Sequence, residues 1–176
     1  HLSDIHIKSD KDKTLEYFQY LPNAICREVV ESELVLILVS GDIAYAGTKS
    51  EYDSIEQVFF KLADDLTTRL KTQVKWIMVP GNHDGTFKDS PKSRAHVIAG
   101  VLKDGPNSID DSVIDTCVAP QKQYFDFESK FCPRVDYFYK DQLLGIKSFN
   151  VSGKTVHFWE LNASWMSRVP EQQGSL

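Results

Sequence analysis

Three short polar stretches, set at the ends of strand-like runs, constrain this chain more than anything else in it. They are Ser3-Asp4-Ile5-His6, Ser40-Gly41-Asp42 and Val79-Pro80-Gly81-Asn82-His83-Asp84. Singly, each reads as an ordinary turn, because Gly and Asn tolerate positive φ and Asn and Asp bond their own backbone. Their placement says more. Leu34 to Val39 is a continuous apolar run opening into the second stretch, and Val74 to Val79 opens into the third. Runs of that kind are strands of a parallel sheet buried on both faces. Between them Ile55, Val58, Phe59, Leu62 and Leu66 recur at helical spacing. Strand, helix, strand is an α/β sheet with right-handed crossovers, and its ligands gather beyond the carboxyl ends of the strands. All three polar stretches fall there.

The rest of the chain fills in around that frame. His1 to Ile7 reads as a strand end, so Asp4 and His6, two residues apart, face one way and can grip one ion. Leu15, Phe18, Leu21, Ile25 and Val29 predict helix, with Pro22 as the first residue of its main part. Ser50 with Asp53 predicts a capping box for the helix that follows. Ser90-Pro91 opens a helix through Val101, the acidic stretch Lys103 to Asp115 reads as a solvated loop, and Pro120 to Phe131 reads as helix. The segment from about 85 to 120 is therefore expected to be an insertion or lid within a single domain spanning 1–176. Gly145 to Asn150 and Lys154 to Asn162 flank Ser152-Gly153 as a β-hairpin, with Val156, Phe158 and Leu161 expected to face a core. Trp159, Trp165 and the group Tyr137, Phe138 and Tyr139 are expected to pack, and His96 and His157 to be structural or exposed.

Composition narrows the class rather than the chemistry. With 176 residues, 41% hydrophobic and 26% charged, the chain can bury a sizeable core. A formal charge of −5 gives no support to a broad nucleic-acid-binding surface, although bound divalent metals would add local positive charge. Cys26, Cys117 and Cys132 form no CxxC pair and read as reduced thiols of a cytoplasmic protein. No run reaches the roughly 18 apolar residues of a membrane span. The chain opens as if in mid-strand and ends on Gln-Gln-Gly-Ser-Leu, so a fragment of a longer parent is expected.

Two Asp carboxylates, an imidazole and an Asn carbonyl are an oxygen and nitrogen donor set that suits Mn, Fe, Zn or Mg, with no thiolate on offer. A carboxylate such as Asp42, on the middle strand, can bridge two cations. Paired metals about 3.5–4 Å apart hold a hydroxide and clamp the oxygens of an in-line displacement at phosphorus. His83, beside Asn82, suits protonation of the leaving alkoxide, because imidazole titrates near neutral pH. Asp84 is expected to support His83, to bind metal itself, or to be simply a turn residue.

At these residues the chain resembles the calcineurin-like metallophosphoesterases. Asp4-x-His6, Gly41-Asp42 and Gly81-Asn82-His83-Asp84 look like the first three motifs of that family, and the final hairpin with Leu161-Asn162-Ala163-Ser164 looks like its second sheet. The resemblance implies a four-layer α/β/β/α sandwich of two mixed sheets, incomplete here at the C-terminus. It implies two divalent metals, Mn foremost, with Asp4 and His6 on one, Asp42 bridging, Asn82 on the other and His83 near the leaving group. The family adds a downstream His and a later Gly-His-x-His, and neither is present. Tyr45 stands where protein phosphatases of the family carry a second Asp, and Asp84 where they carry Glu, which argues against that branch. Gly41-Asp42-Ile43-Ala44-Tyr45-Ala46-Gly47 with Glu51-Tyr52 is more similar to the cyclic-nucleotide and general phosphodiesterase branch. The implied activity is hydrolysis of a phosphodiester in a nucleotide or nucleic acid, without a membrane partner. The alternatives are a nuclease domain of a larger protein and a non-catalytic binding module on the same scaffold.

Overall fold

The computed structural model describes residues 1–29, 31–87 and 90–168. The closing residues Gln-Gln-Gly-Ser-Leu lie outside them. Two sheets with helices make up the fold, as the α/β reading requires.

The first sheet is parallel. β1 (Leu34–Val39) pairs in register with β2 (Gln73–Met78), from Leu34 opposite Gln73 to Val39 opposite Met78. On the other side of β1 the opening segment runs parallel to it, through bridges Leu2 to Val39 and Ile7 to Ala44. Its bonds continue past the end of β1: the His6 N–H donates to the Asp42 carbonyl at 2.9 Å and Ile7 N–H to the Ile43 carbonyl at 2.9 Å. The first two motifs are therefore neighbours along a shared ladder.

Before β1 come α1 (Lys13–Phe18) and α2 (Leu21–Glu28). The single helical pattern of the sequence is thus two helices, and Pro22 is the second residue of α2 rather than its first. A proline is tolerated at either place, because its missing N–H would have no helical partner there. The crossover between β1 and β2 is α3 (Lys49–Leu70), whose buried stripe includes Tyr52, Ile55, Phe59, Leu62 and Leu66. Its capping box is Thr48 with Glu51, two residues ahead of the Ser50 and Asp53 expectation. Glu51 decides the matter by accepting the N–H groups of Thr48 at 2.9 Å and Ala46 at 3.1 Å. Ser50 instead accepts within the helix, from the Ser54 hydroxyl.

The segment expected as an insertion carries α4 (Lys92–Asp104) and α5 (Asp111–Val118), packed on one another. The acidic stretch is consequently not all loop. Asp110 caps α5 by accepting the Val113 N–H at 2.9 Å, and the acidic character belongs to a helix start, where carboxylates are favoured. Buried Arg94 of α4 donates to the carbonyls of Cys117, Trp165 and Ser167 at 2.8–3.0 Å and so ties this segment to the chain beyond the hairpin. α6 (Lys122–Phe131) then lays Phe127 and Phe131 on Phe59, whose ring stacks on Trp76 at 4.8 Å.

The second sheet is antiparallel, in the order β3 (Tyr137–Lys140), β4 (Leu144–Val151), β5 (Lys154–Leu161). The hairpin is where the sequence places it, and its inner face is the one expected for Val156 and Phe158, with Phe158 half-buried there, but not for Leu161. Val156 and Leu161 are 42% and 62% exposed, and Trp159 is 66% exposed rather than packed. In a strand, residues 156, 158 and 160 share one face, so Leu161 falls on the opposite side from Val156 and Phe158. The buried member of β5 is Glu160, joined to fully buried Lys147 of β4 at 2.9 Å. Of the aromatic group, Tyr137 is buried while Phe138 and Tyr139 are exposed. Among the described residues no helix is long and apolar enough to cross a membrane.

Candidate metal centre

Asp4, His6 and Asp42 are delivered to one point: a ligand atom from each lies within 4.8 Å of the others. Each comes from a backbone of unusual shape. Their φ angles are 53°, 53° and 56°, in the left-handed region. Among the described residues only Lys71 and Ser152 are other non-glycine residues with positive φ. Such a conformation costs a side-chain-bearing residue on the order of 1–3 kcal/mol and gathers at functional sites. Here it is held by buried Ile5 and Ile7, which alternate with Asp4 and His6, and by the ladder to residues 41–43.

The donors fit a divalent cation. His6 presents a buried Nδ1 with no hydrogen-bond partner, and its Nε2 lies 3.8 Å from the Asp4 carboxylate. One Asp42 oxygen accepts the His83 backbone N–H at 2.8 Å. Two carboxylates around an imidazole, with a buried polar atom otherwise unserved, are what a hard or borderline cation requires. Asn82 is exposed in the adjoining turn, between Gly81 and His83, whose N–H groups bind the carboxylates of Asp84 and Asp42 respectively.

His83 lies beside the cluster, its ring edge-on to His6 at a centroid distance of 4.6 Å. Its Nδ1 is 2.8 Å from the Tyr45 carbonyl. A carbonyl only accepts, so Nδ1 carries the proton and Nε2 is left for other work. The residue that orients His83 is thus the Tyr45 backbone and not Asp84.

Asp84 serves the loops instead. It is completely buried, and its carboxylate accepts the N–H groups of Asp42 (2.7 Å), Ile43 (3.1 Å), Ala44 (3.0 Å) and Gly81 (2.9 Å) and the Tyr52 hydroxyl (2.8 Å). Burial pushes its pKa above the ordinary value, while the N–H groups of Gly81 and Ala44 and the Tyr52 hydroxyl pull it back. Every neighbour donates, so the ionised carboxylate is the form that fits. Sequence reasoning named Tyr52 only in the run Glu51-Tyr52 of the phosphodiesterase resemblance and gave it no role in the site; its place one turn into α3, with its hydroxyl on Asp84, is what brings it in.

Both motif glycines are required by close approach. A Cβ on Gly41 would lie 2.7 Å from the Gly81 backbone, and one on Gly81 would lie 2.1 Å from the Asp42 carboxylate. Gly81→Ala should therefore displace Asp42 and lower Mn²⁺ affinity at least tenfold while the chain stays folded. Calorimetric titration checks this, and unchanged affinity would show that the Asp42 carboxylate can move without harm.

Behind the turn, the Ser164 hydroxyl donates to the Pro80 carbonyl at 3.1 Å and buried Gln121 bonds both Ser164 and Asn162. The segment after β5 thereby backs the third motif. His96 and His157 are exposed, the latter bonded to Ser148, and neither approaches the cluster.

Comparison with known proteins bears on the same residues. Neither the curated proteins nor the solved structures contain a match to the chain. The family model for calcineurin-like phosphoesterases matches residues 1–167, which takes in every motif that builds this centre. The chain belongs to the calcineurin-like phosphoesterase family.

Proposed function

We propose that this chain serves the hydrolysis of phosphodiesters, with a nucleotide or nucleic acid as the substrate class. The observation that carries the reading is the convergence of Asp4, His6 and Asp42 with His83 alongside. Metal-dependent phosphoester hydrolysis is the chemistry of the family. The preference for diesters is inferred from the run Gly41 to Gly47 with Glu51-Tyr52.

In this reading Asp4 and His6 would hold one divalent ion, Asn82 would serve a second, and Asp42 would serve both. Mn²⁺ is the first choice, and Fe, Zn or Mg suits the same donors. When bound, such ions supply Lewis acidity toward phosphoryl oxygens and acidify water. The protein's own contribution is positional. Asp84 and the two glycines fix the spacing of the motif loops, and the Tyr45 carbonyl holds the His83 ring so that Nε2 faces outward. With both nitrogens protonated, His83 donates from Nε2 to the departing alkoxide. Segment 85–120 is read as an insertion beside the site. The three free cysteines support a reducing, cytoplasmic setting.

The test uses a dinucleotide and the corresponding nucleoside monophosphate. With Mn²⁺ present the diester should be the better substrate. His83→Ala should lower kcat by about 10²–10³-fold with metal content unchanged, whereas Asp42→Asn should lose metal. Faster release of phosphate from the monoester would sink the diester preference. Metal loss in His83→Ala would make His83 a ligand.

A further inference from the structure

We propose that Tyr45, with Lys8 seated on its ring, forms the subsite for the leaving group and selects leaving groups that carry a planar ring, a nucleoside above all. The proposal rests on the diesterase reading and adds to it which part of the substrate is recognised and by what.

Tyr45 is pinned at both ends of its peptide unit. Its N–H donates to the Ile7 carbonyl at 3.0 Å, and its carbonyl accepts from His83 Nδ1 at 2.8 Å. The contact that orients His83 therefore also sets where the Tyr45 side chain stands. The tyrosine ring lies 5.7 Å from the His83 ring, inclined by 34°, and 6.3 Å from the His6 ring. Yet it is 48% exposed and takes no part in the core.

A large aromatic side chain held half-open beside a polar centre has a face to offer. Lys8 stands two residues past His6, and its ammonium sits 4.4 Å from the Tyr45 ring centre. That cation–π contact restrains the ring at little cost in burial. It also places a positive charge where a phosphodiester, itself anionic, would pass. Whatever oxygen His83 protonates must lie within hydrogen-bond reach of its ring, and the half-open Tyr45 ring stands 5.7 Å from that ring. A base stacks there on any aromatic face without sequence preference. An alkyl leaving group gains nothing comparable.

The experiment compares thymidylyl-3′,5′-thymidine with thymidine 3′-(methyl phosphate), following thymidine 3′-phosphate, the product both share, with Mn²⁺ bound. In the unaltered chain the dinucleotide should show the lower KM. Tyr45→Leu should raise KM for the dinucleotide about tenfold more than it raises KM for the methyl ester, and retain metal. Tyr45→Phe, which keeps the ring, should behave like the unaltered chain. An equal effect of Tyr45→Leu on both substrates, or none on either, overturns the subsite while leaving the diesterase reading standing. Loss of metal in Tyr45→Phe overturns it too, because the phenol oxygen would then be a ligand. Failure to hydrolyse either diester removes the diesterase reading and the subsite with it.

Discussion

Asp84→Asn should destabilise the chain by on the order of 4 kcal/mol and abolish Mn²⁺ binding, even though the two side chains have the same shape. The reason is that both carboxylate oxygens face pairs of backbone N–H groups, which can only donate; of the neighbours the Tyr52 hydroxyl alone can also accept. One carboxylate oxygen faces the N–H groups of Asp42 and Gly81, and the other faces those of Ile43 and Ala44 and the Tyr52 hydroxyl. An amide must turn its NH₂ toward one of these groups, setting donor against donor. At least two buried N–H groups then lose their partner, at about 1–3 kcal/mol each. Asp42 and Gly81 belong to two different motifs, so the spacing between them fails together with the stability. Urea unfolding and metal titration measure the two effects. A variant that stays within about 1 kcal/mol of the parent and still binds Mn²⁺ would show that the carboxylate clamp is not what holds the motifs together.

That clamp also marks where the sequence stopped being informative. The strand-end positions of the polar stretches were legible because β1 is a pure apolar run, and its observed bounds, Leu34–Val39, are the expected ones. The left-handed backbone of Asp4 and His6 was not legible, since an extended segment would also put them on one face; it comes from the cross-strand bonds to residues 41–43. Asp84 read equally as a partner of His83, a ligand or a turn residue. Its real partners are a loop some 40 residues earlier and the first turn of α3. Helix starts were misjudged for a related reason. Ser50 and Asp53 have the composition of a capping box, but Glu51 reaches back to Thr48 and Ala46, and only the path of the loop between Gly47 and α3 decides between them. On β5 the face of Val156 and Phe158 does turn inward, but the buried place on it belongs to a charged pair, and Leu161 lies on the opposite side.

Lys147→Met should cost about 3–5 kcal/mol, and removing Glu160 as well should not restore stability. Replacing both members of a buried ion pair by apolar residues is often close to neutral, because desolvation roughly offsets the attraction. This pair has a second duty. β2 is an edge strand of the first sheet, and its outward backbone groups meet side chains rather than another strand. The Lys147 ammonium donates to the Trp76 carbonyl at 2.8 Å and lies 4.3 Å from the Tyr137 ring, while Glu160 accepts the Met78 N–H at 3.3 Å. Burial opposes the charge on Lys147, but Cys132 and Glu160 outweigh it and hold its pKa above the ordinary value. The ion pair thus completes the edge of one sheet from the face of the other, and Gly145, opposite Glu160, leaves room for it, since a Cβ there would lie 2.6 Å from the carboxylate. In the double variant Lys147→Met with Glu160→Leu, the Met78 N–H remains buried without a partner and the Trp76 carbonyl keeps only the weak donor of the Cys132 thiol at 3.5 Å, at about 1–3 kcal/mol each. A double-mutant cycle by urea unfolding should therefore leave the double variant about 2–4 kcal/mol below the parent. Recovery to within about 1 kcal/mol would mean that the pair acts through mutual attraction alone and that the edge of β2 needs no partner.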